Sequence, residues 1–435
     1  MARALSFGKL LSILSDTFGQ LPDRRTGNNG QYTICDAALG AFGVFFTQSP
    51  SFLAYQRDMQ QRKGHNNARS LFGIEEIPSD PQIRNLLDPI VPVHLRMPFW
   101  TILALLEQEG RLASDYQFAG GWLCSLDGTQ YFSSTKIHCP DCTVAVRGET
   151  TWYSHTVLIP ALVMPGKAEV IVLEPEFITP QDGAEKQDCE RRAAQRWITR
   201  NASQFAGHRV TMLADDLYCN QPFCELLLAQ GLDFILTCKP DSHPALYEEV
   251  ELLAKTGGIS QIEDRRWAGK GYERWAYRYV QHVPLRADSK ALLVNWCELT
   301  VFNETTDEVL YHNAFATNHD LNESTVRTTA TAGRTRWKIE NETNNVLKNR
   351  GYHLEHNFGH GQQHLASVLL MLILLAFLFH TILQLRDQKY QRVRATLATR
   401  KTFFDDIRAL TRYLFFESWE HLLDFMFTQL ELAPL

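Results

Sequence analysis

The chain has 435 residues, of which 45% are hydrophobic and 21% are charged, as in ordinary soluble proteins. This length provides material for two to four domains and a large core. The net charge of −6 excludes a generally basic chain, so a nucleic acid would have to bind through local basic patches. The nine cysteines are scattered and odd in number, which argues against a disulfide framework and indicates a reducing cytosol. The N-terminus lacks an apolar core followed by a small-residue cleavage site, so we expect no signal peptide.

Residues 1–115 show the pattern of short helices separated by polar turns. Phe7 to Phe18 is amphipathic, and Cys35 to Phe46 is an apolar run of small residues. In the segment Ile77 to Ile90, an N-cap at Ser79 or Asp80 and a proline in the first turn predict another helix. Such helices suit a helix-turn-helix reader of DNA, and they suit a plain helical domain equally well.

From about Phe118 the pattern changes to strands that alternate with helices. The run GGWLCSLDGTQYFSS predicts two strands joined by a hairpin turn at Asp127-Gly128-Thr129. Counted from this first run, the elements are three strands, a helix, a strand, a helix and a strand. This alternation predicts an α/β sheet. The later elements are the runs HTVLIPALVMP and EVIVLEPEFI, the helix Gln187 to Asn201, the strand RVTMLADDLYC, the helix Gln221 to Gln230 and the strand Asp233 to Pro240.

The last part of the chain combines an aromatic-rich region with long helices. Residues 241–318 contain a polar helix and then alternating runs that predict an antiparallel β insertion. Leu365 to Leu385 is almost long enough to span a bilayer, but a buried core helix is also apolar on every side. We expect a core helix, with a membrane span as the alternative. Residues 386–435 predict a helical tail.

Three carboxylates in this pattern could meet at one edge of the sheet. Asp127 ends or follows the first strand, Asp215 ends the fourth, and Glu340 lies on a late helix that could pack against that edge. Crowded carboxylates raise one another's pKa, and a divalent cation relieves the conflict. Mg²⁺ prefers such hard oxygen ligands, and two ions can activate an attacking oxygen and stabilise a leaving one. The pattern therefore indicates phosphoryl transfer on nucleic acid, whereas a solvated helix face with charge pairs is the alternative for Glu340.

With these three residues, the chain resembles the DDE transposases of bacterial insertion sequences. The stretches SLDGTQYFSS, VTMLADDLYC and RTRWKIENE carry the resemblance, together with a β insertion before the glutamate. One large branch has Tyr, two residues, Arg, three residues, Glu, six residues and Lys. Arg336 and Glu340 fit this spacing. Gly333 stands at the Tyr position and Leu347 at the Lys position, with Lys348 one residue late.

The resemblance implies an α/β fold with an RNase H-like mixed sheet flanked by helices, a β-rich insertion and helical N- and C-terminal regions. The expected division places the catalytic core on both sides of the insertion. Its parts are a DNA-end-binding domain (1–115), the first part of the core (116–240), the insertion (241–318), the second part of the core with the Glu helix and the apolar helix (319–385), and a tail with a possible role in oligomerisation (386–435).

The resemblance also implies the chemistry and the partners. Asp127, Asp215 and Glu340 would be catalytic and would bind two Mg²⁺ or Mn²⁺ ions. The enzyme would cut at the ends of its own element and transfer the freed 3′-OH to target DNA. Its partners would be double-stranded DNA, as terminal inverted repeats and target, and a second copy of the chain in a dimer or larger oligomer. It would work at the nucleoid in the bacterial cytoplasm, without a membrane. The alternative is a domesticated or inactive RNase H-like nuclease or DNA-binding remnant.

Two further points concern the choice between neighbouring aspartates and the contacts to DNA. Asp215 is preferred to Asp216 because similar proteins often have an aromatic residue three positions after the catalytic aspartate, and Tyr218 stands at that position.

Basic and aromatic side chains are the expected contacts to phosphates and to a flipped base, although each could instead be ordinary surface charge or sheet packing. The phosphate candidates are Lys239, Arg336 and Lys348, and the tryptophan candidates are Trp296, Trp267 and Trp275.

A cysteine pair and a histidine-rich turn complete the candidates. Cys139 and Cys142 have half of a zinc-site spacing, which Cys124, His155 and Cys189 could complete. A second pair with the same spacing is missing, so buried thiols are the favoured interpretation and zinc the alternative. His353, His356, His360 and His364 follow the Glu340 helix, and turn residues or DNA-facing donors are favoured there over a metal site.

Overall fold

A computed structural model describes residues 5–25, 30–60, 66–180 and 190–433. Strands of this part of the chain form one twelve-stranded sheet in the order β3-β4-β2-β7-β8-β12-β11-β10-β9, with β1 beside β2 and with β5 and β6 beside β4. The strands are β1 (Gln117–Phe118), β2 (Gly121–Ser134), β3 (Thr143–Arg147), β4 (Thr150–Val163), β5 (Ile171–Val172), β6 (Glu176–Ile178), β7 (Val210–Ala214), β8 (Asp233–Thr237), β9 (Ser260–Trp267), β10 (Tyr272–Pro284), β11 (Leu293–Asn303) and β12 (Val309–Thr317).

The centre of the sheet is parallel and its flanks are antiparallel. Strands β2, β7 and β8 run parallel, because helices cross over between them and return the chain to the same edge. Strand β12 pairs antiparallel with β8, with Phe315 opposite Thr237, so the β insertion extends the central sheet directly. The predicted mixed α/β sheet with a β-rich insertion is confirmed, and the arrangement is consistent with an RNase H-like transposase fold.

The helices lie before, between and after these strands. Their starts follow local capping rules: Thr33 and Asp36 form a capping box before α2, and the Gln82 side chain accepts from the Ser79 N–H before α5. The helices are α1 (Phe7–Phe18), α2 (Ile34–Phe46), α3 (Phe52–Met59), α4 (Asn67–Phe72), α5 (Asp80–Leu87), α6 (Met97–Gln108), α7 (Arg111–Asp115), α8 (Glu190–Asn201), α9 (Gln221–Ala229), α10 (Pro244–Thr256), α11 (Val326–Thr335), α12 (Asn345–Asn349), α13 (Leu365–Arg386), α14 (Gln388–Thr396), α15 (Arg400–Tyr413) and α16 (Trp419–Gln429), with a π-helical turn at Ile339–Asn344.

The predicted hairpin turn at Asp127-Gly128-Thr129 is wrong. Strand β2 runs straight through these residues, and Asp127 lies opposite Ile159 of β4. A Cβ on Gly128 would collide with the carboxylate of Glu190, closer than real Cβ atoms ever approach. The glycine therefore leaves room for the Glu190 carboxylate and does not form a turn. Sequence alone does not distinguish these two uses of a glycine.

Helix α13 is the apolar segment that could have been read as a membrane span. Its length and composition would allow a crossing, but 89% of its most apolar window is buried inside the protein. Phe379 packs against Phe42 of α2 with ring centroids 4.9 Å apart. The imidazole of His380 is paired at both nitrogens, with the Tyr390 hydroxyl at 2.9 Å and the Phe46 carbonyl at 2.8 Å. In the structure α13 is thus a core helix that joins the N-terminal helices to the sheet.

The N-terminal and C-terminal helices form one packed layer. Asn67 donates to the carbonyls of Thr411 and Leu414, both at 2.8 Å, and the ring of Phe7 stacks on Trp419 at 5.0 Å. Asp58 is nearly buried and accepts from Arg412 at 2.8 Å. The tail therefore uses much of its apolar surface within the chain.

Candidate active site

Asp127 and Asp215 lie side by side on neighbouring parallel strands. In the ladder between β2 and β7, Ser125 lies opposite Leu213. The same register continued by two residues places Asp127 beside Asp215, directly after the end of β7. Adjacent strands are about 4.8 Å apart, so the two carboxylates share the edge of the sheet. This edge is formed by the parallel centre of the fold.

Asp127 is held by an amide and surrounded by negative charge. The side-chain nitrogen of Asn344 donates to its Oδ2 at 2.6 Å. Burial, with the charges of Glu340 and Glu190 adding to it, raises the pKa of Asp127 to about 7. Burial likewise raises the pKa of Asp215. Both shifts mark a place where carboxylates are crowded away from water.

Glu340 approaches this edge from a π-helical turn, a rare local geometry that occurs frequently at functional sites. Its Oε1 lies 2.7 Å from Nη1 of Arg336, one turn earlier, and its side chain is 46% exposed. The carbonyl of Arg336 in turn accepts from Ser125 Oγ of β2 at 3.5 Å. The charge pair expected for a solvated helix face is therefore present, and it stands next to Asp127.

Glu190 is a fourth carboxylate at this place, and the sequence analysis missed it. Its Oε1 accepts from the Tyr218 hydroxyl at 2.7 Å, and burial, with the charge of Asp215, raises its pKa. A signal for it existed, because Glu190 lies on the same helical face as Ala193, Ala194 and Trp197, all buried. A lone carboxylate on the apolar stripe of a helix needs a partner inside the fold.

Part of the chain matches a known protein family. Residues 184–378 match the family model of the transposase DDE domain. The chain carries a transposase DDE domain. No curated protein matches the chain significantly. The matched range contains Asp215 and Glu340, whereas Asp127 precedes it. The domain gives the chain a transposase function of the general DDE class, an enzyme of the polynucleotidyl transferase and nuclease type that acts on DNA, and the family generally uses divalent metal ions.

Within the transposase domain, Asp215 and Asp216 have different surroundings. Asp216 accepts from the Lys239 backbone at 2.7 Å and from the Ser242 hydroxyl, and His243 lies 3.4 Å away. It therefore fixes the turn after β8. Asp215 accepts only a local bond from the Leu217 N–H at 3.0 Å among the protein contacts of the described residues. The geometry favours Asp215 as the catalytic residue, which stays a prediction.

The candidate DNA contacts divide into available and unavailable side chains. Lys239 is exposed beside Asp215, while Arg336 is paired with Glu340 and Lys348 lies 2.8 Å from Glu355. Trp296 is fully buried, because residues 294–297 of β11 are covered on both faces of the sheet. Its predicted contact with DNA is therefore wrong.

Two other tryptophans remain open to solvent to different degrees. Trp267 is 62% exposed. Trp275 is partly buried, with the guanidinium of Arg266 4.0 Å and that of Arg334 5.0 Å from the ring. Trp267 and Trp275 therefore remain the candidates for stacking on a flipped DNA base.

The chain departs from the branch signature at two positions, and packing accounts for both. A Cβ on Gly333 would lie 2.7 Å from the ring of Phe315, so a tyrosine has no room there. Leu347, at the Lys position, is fully buried in the core. The auxiliary positions of the signature are thus used for packing in this chain.

Proposed function

We propose that the chain cuts phosphodiester bonds at the ends of its own insertion sequence and transfers the 3′-OH ends to target DNA. The observation that carries the proposal is the register of β2 and β7, which sets Asp127 beside Asp215, with Glu340 close enough to raise the pKa of Asp127. Together with the transposase DDE domain, this arrangement supports Asp127, Asp215 and Glu340 as the catalytic carboxylates.

The residues present fit divalent metal ions. The site offers carboxylate oxygens, the hard donors that Mg²⁺ and Mn²⁺ prefer. The amide oxygen of Asn344 is buried without a hydrogen-bond partner in the described residues, although its nitrogen binds Asp127. Asp127, Asp215 and Glu340 would hold two ions, which when bound supply charge stabilisation to the attacking and leaving oxygens.

Other side chains of the protein position the carboxylates and offer positive charge to a DNA substrate. Asn344 fixes one oxygen of Asp127, and the glycine at 128 lets Glu190 approach the strand that carries Asp127. Arg336 holds Glu340 on the π-helical turn, and a DNA phosphate at this edge would compete for the same guanidinium. Lys239 adds an exposed positive charge for the DNA backbone.

A labelled DNA fragment that spans one boundary of the gene tests the proposal. The protein is incubated with the fragment and Mg²⁺, then with EDTA, and the Glu340→Gln variant is compared with a matched Glu342→Gln control on the same turn. We expect metal-dependent nicking at a single position that is lost only in Glu340→Gln. DNA binding without cleavage would favour the inactive remnant, and loss of both would contradict an end-cutting enzyme.

A further inference from the structure

A second cluster of ligand-type side chains lies at the far end of β2. Cys139 and Cys142 belong to the turn between β2 and β3, His155 lies on β4, and His360 follows the Glu340 helix in the chain. One ligand atom from each lies within 4.8 Å of all the others, and all four residues are buried. Residues separated by more than two hundred positions therefore converge on one point.

The distances match those of a tetrahedral metal site. Zinc bonds of about 2.3 Å to sulfur and 2.0 Å to nitrogen separate two sulfurs by about 3.8 Å and a sulfur from a nitrogen by about 3.5 Å. The two cysteine Sγ atoms lie 3.9 Å apart. The Nε2 of His155 lies 3.5 Å from the sulfur of Cys139 and 3.4 Å from that of Cys142. The Nε2 of His360 lies 3.5 Å from Cys142 and 3.0 Å from the His155 Nε2.

The surroundings orient the ligands and close the site. Nδ1 of His360 lies 2.9 Å from the carbonyl of Gly361, so that nitrogen carries the proton and leaves the Nε2 lone pair free for a metal. The ring of Phe132 packs on the His360 imidazole with centroids 4.3 Å apart. Four protein ligands in a buried, aromatic pocket leave no position open for a substrate, which is typical of a structural site.

The cluster is separate from the carboxylate edge. Phe132 lies opposite His155 in the sheet, five residues along β2 from Asp127. At about 3.4 Å per residue, the two sites are roughly 17 Å apart. The cluster joins the end of β2, strand β4 and the segment between the Glu340 helix and α13, so it connects the strand of one predicted catalytic residue to the helix of another.

We propose that Cys139, Cys142, His155 and His360 bind one structural Zn²⁺ ion that anchors the segment after the Glu340 helix to the sheet. Cys139 and Cys142 are buried, as expected. The proposal differs from the favoured interpretation in making these thiols and His360 metal ligands. Of the other suggested ligands, Cys124 is buried elsewhere in the core, and Cys189 lies outside the described residues. The zinc site does not depend on the proposed DNA cleavage.

Metal analysis of the purified full chain tests the proposal. We expect one zinc per chain, and its loss in the Cys142→Ser and His360→Ala variants. The control Cys35→Ser changes a partly buried thiol outside the cluster and should keep the metal. Cys219→Ser is a second control, because Cys219, Cys238 and His243 form another close group and would otherwise account for bound zinc. Zinc that is lost in Cys219→Ser but kept in Cys142→Ser would overturn the assignment.

Cobalt substitution keeps the test valid even where a variant folds poorly. Wild-type protein stripped of zinc and titrated with Co²⁺ should show the strong visible bands of tetrahedral cobalt and a thiolate charge-transfer band. The conservative His360→Cys variant should retain one metal and shift these bands as nitrogen is replaced by sulfur. Folded wild-type protein that contains no zinc and gives no thiolate band would overturn the proposal.

Discussion

Strand β2 carries two clusters of side chains with opposite properties, one at its middle and one beyond its C-terminal end. At the middle, Asp127 and its neighbouring carboxylates form an oxygen-only site, with Glu340 half exposed and paired to Arg336. Beyond the C-terminal end, two thiols and two imidazoles are buried close to one another. The first arrangement is crowded with like charge and open to a substrate, whereas the second is closed on itself. One strand thus carries the proposed catalytic carboxylates, the reactive edge, and leads to the proposed zinc anchor. The experiments below separate the roles of these two clusters.

The largest expected effect comes from removing a carboxylate at the reactive edge. Asp127→Asn or Asp215→Asn should lower DNA cleavage by about a thousandfold or more, because about 4 kcal/mol of transition-state stabilisation through the metal ions would be lost. DNA binding should remain, as measured by gel shift. The matched variant Asp216→Asn should keep cleavage but lower stability, since it frees the turn after β8. The reverse pattern would move the catalytic role to Asp216.

Removal of zinc should act on stability first. A chelator strong enough to extract zinc should lower the Tm of the wild type by several degrees, because metal binding to the folded ligands is part of the folding free energy. The same treatment should leave the Tm of Cys142→Ser unchanged, and added Mg²⁺ should not restore the wild type, since thiolates are poor magnesium ligands. An equal response of both proteins to the chelator would contradict separate roles for the two clusters.

The pH dependence of stability should follow Asp127. Burial and the charges around it raise the pKa of Asp127 in the folded protein from 3.8 to about 7. Its contribution to the free energy of unfolding is therefore fully present below about pH 4 and is lost as the pH rises to about 7. The loss amounts to at most about 4 kcal/mol. Denaturant unfolding in Mg²⁺-free buffer should show this decline in the wild type and not in Asp127→Asn. If the free energy of unfolding changed with pH in the same way in both proteins, the raised pKa of Asp127 would be contradicted.

Glu190 offers a smaller test of the reactive edge. Glu190→Gln and Tyr218→Phe should each lower cleavage about 10- to 100-fold, the range typical for groups that orient metal ligands. The variant Glu225→Gln, on α9, is a control that leaves this hydrogen bond intact. Full activity in both Glu190→Gln and Tyr218→Phe would show that the fourth carboxylate has only a packing role.

The smallest effect concerns DNA affinity. Lys239→Ala should weaken binding severalfold for any DNA sequence and should reduce the slope of log affinity against log salt by about 1, as expected for one phosphate contact. Lys348→Ala should change affinity less, because its ammonium group is already paired with Glu355. Equal effects of the two variants in salt titrations would indicate that the ion pair between Lys348 and Glu355 breaks when DNA binds.

Local patterns were sufficient for the order of helices and strands. They also singled out Asp215 and Glu340, which lie within the range that matches the family model and stay predicted catalytic residues. Alternation and capping depend on neighbours a few residues apart, so the strand that ends at Ala214 and the helix that begins after Thr33 could be read directly. The same reasoning misread Asp127-Gly128-Thr129, because a glycine that admits Glu190 resembles a glycine in a turn.

Contacts between distant segments decided the rest. Packing across the sheet brings Glu190 and Asn344 to the strand that carries Asp127, and it buries Trp296. The same packing brings His360 to Cys139, Cys142 and His155. No periodicity records which face of one element meets another when they are separated by dozens to hundreds of residues. Sequence therefore indicated the class of chemistry, and tertiary packing determined which side chains surround it.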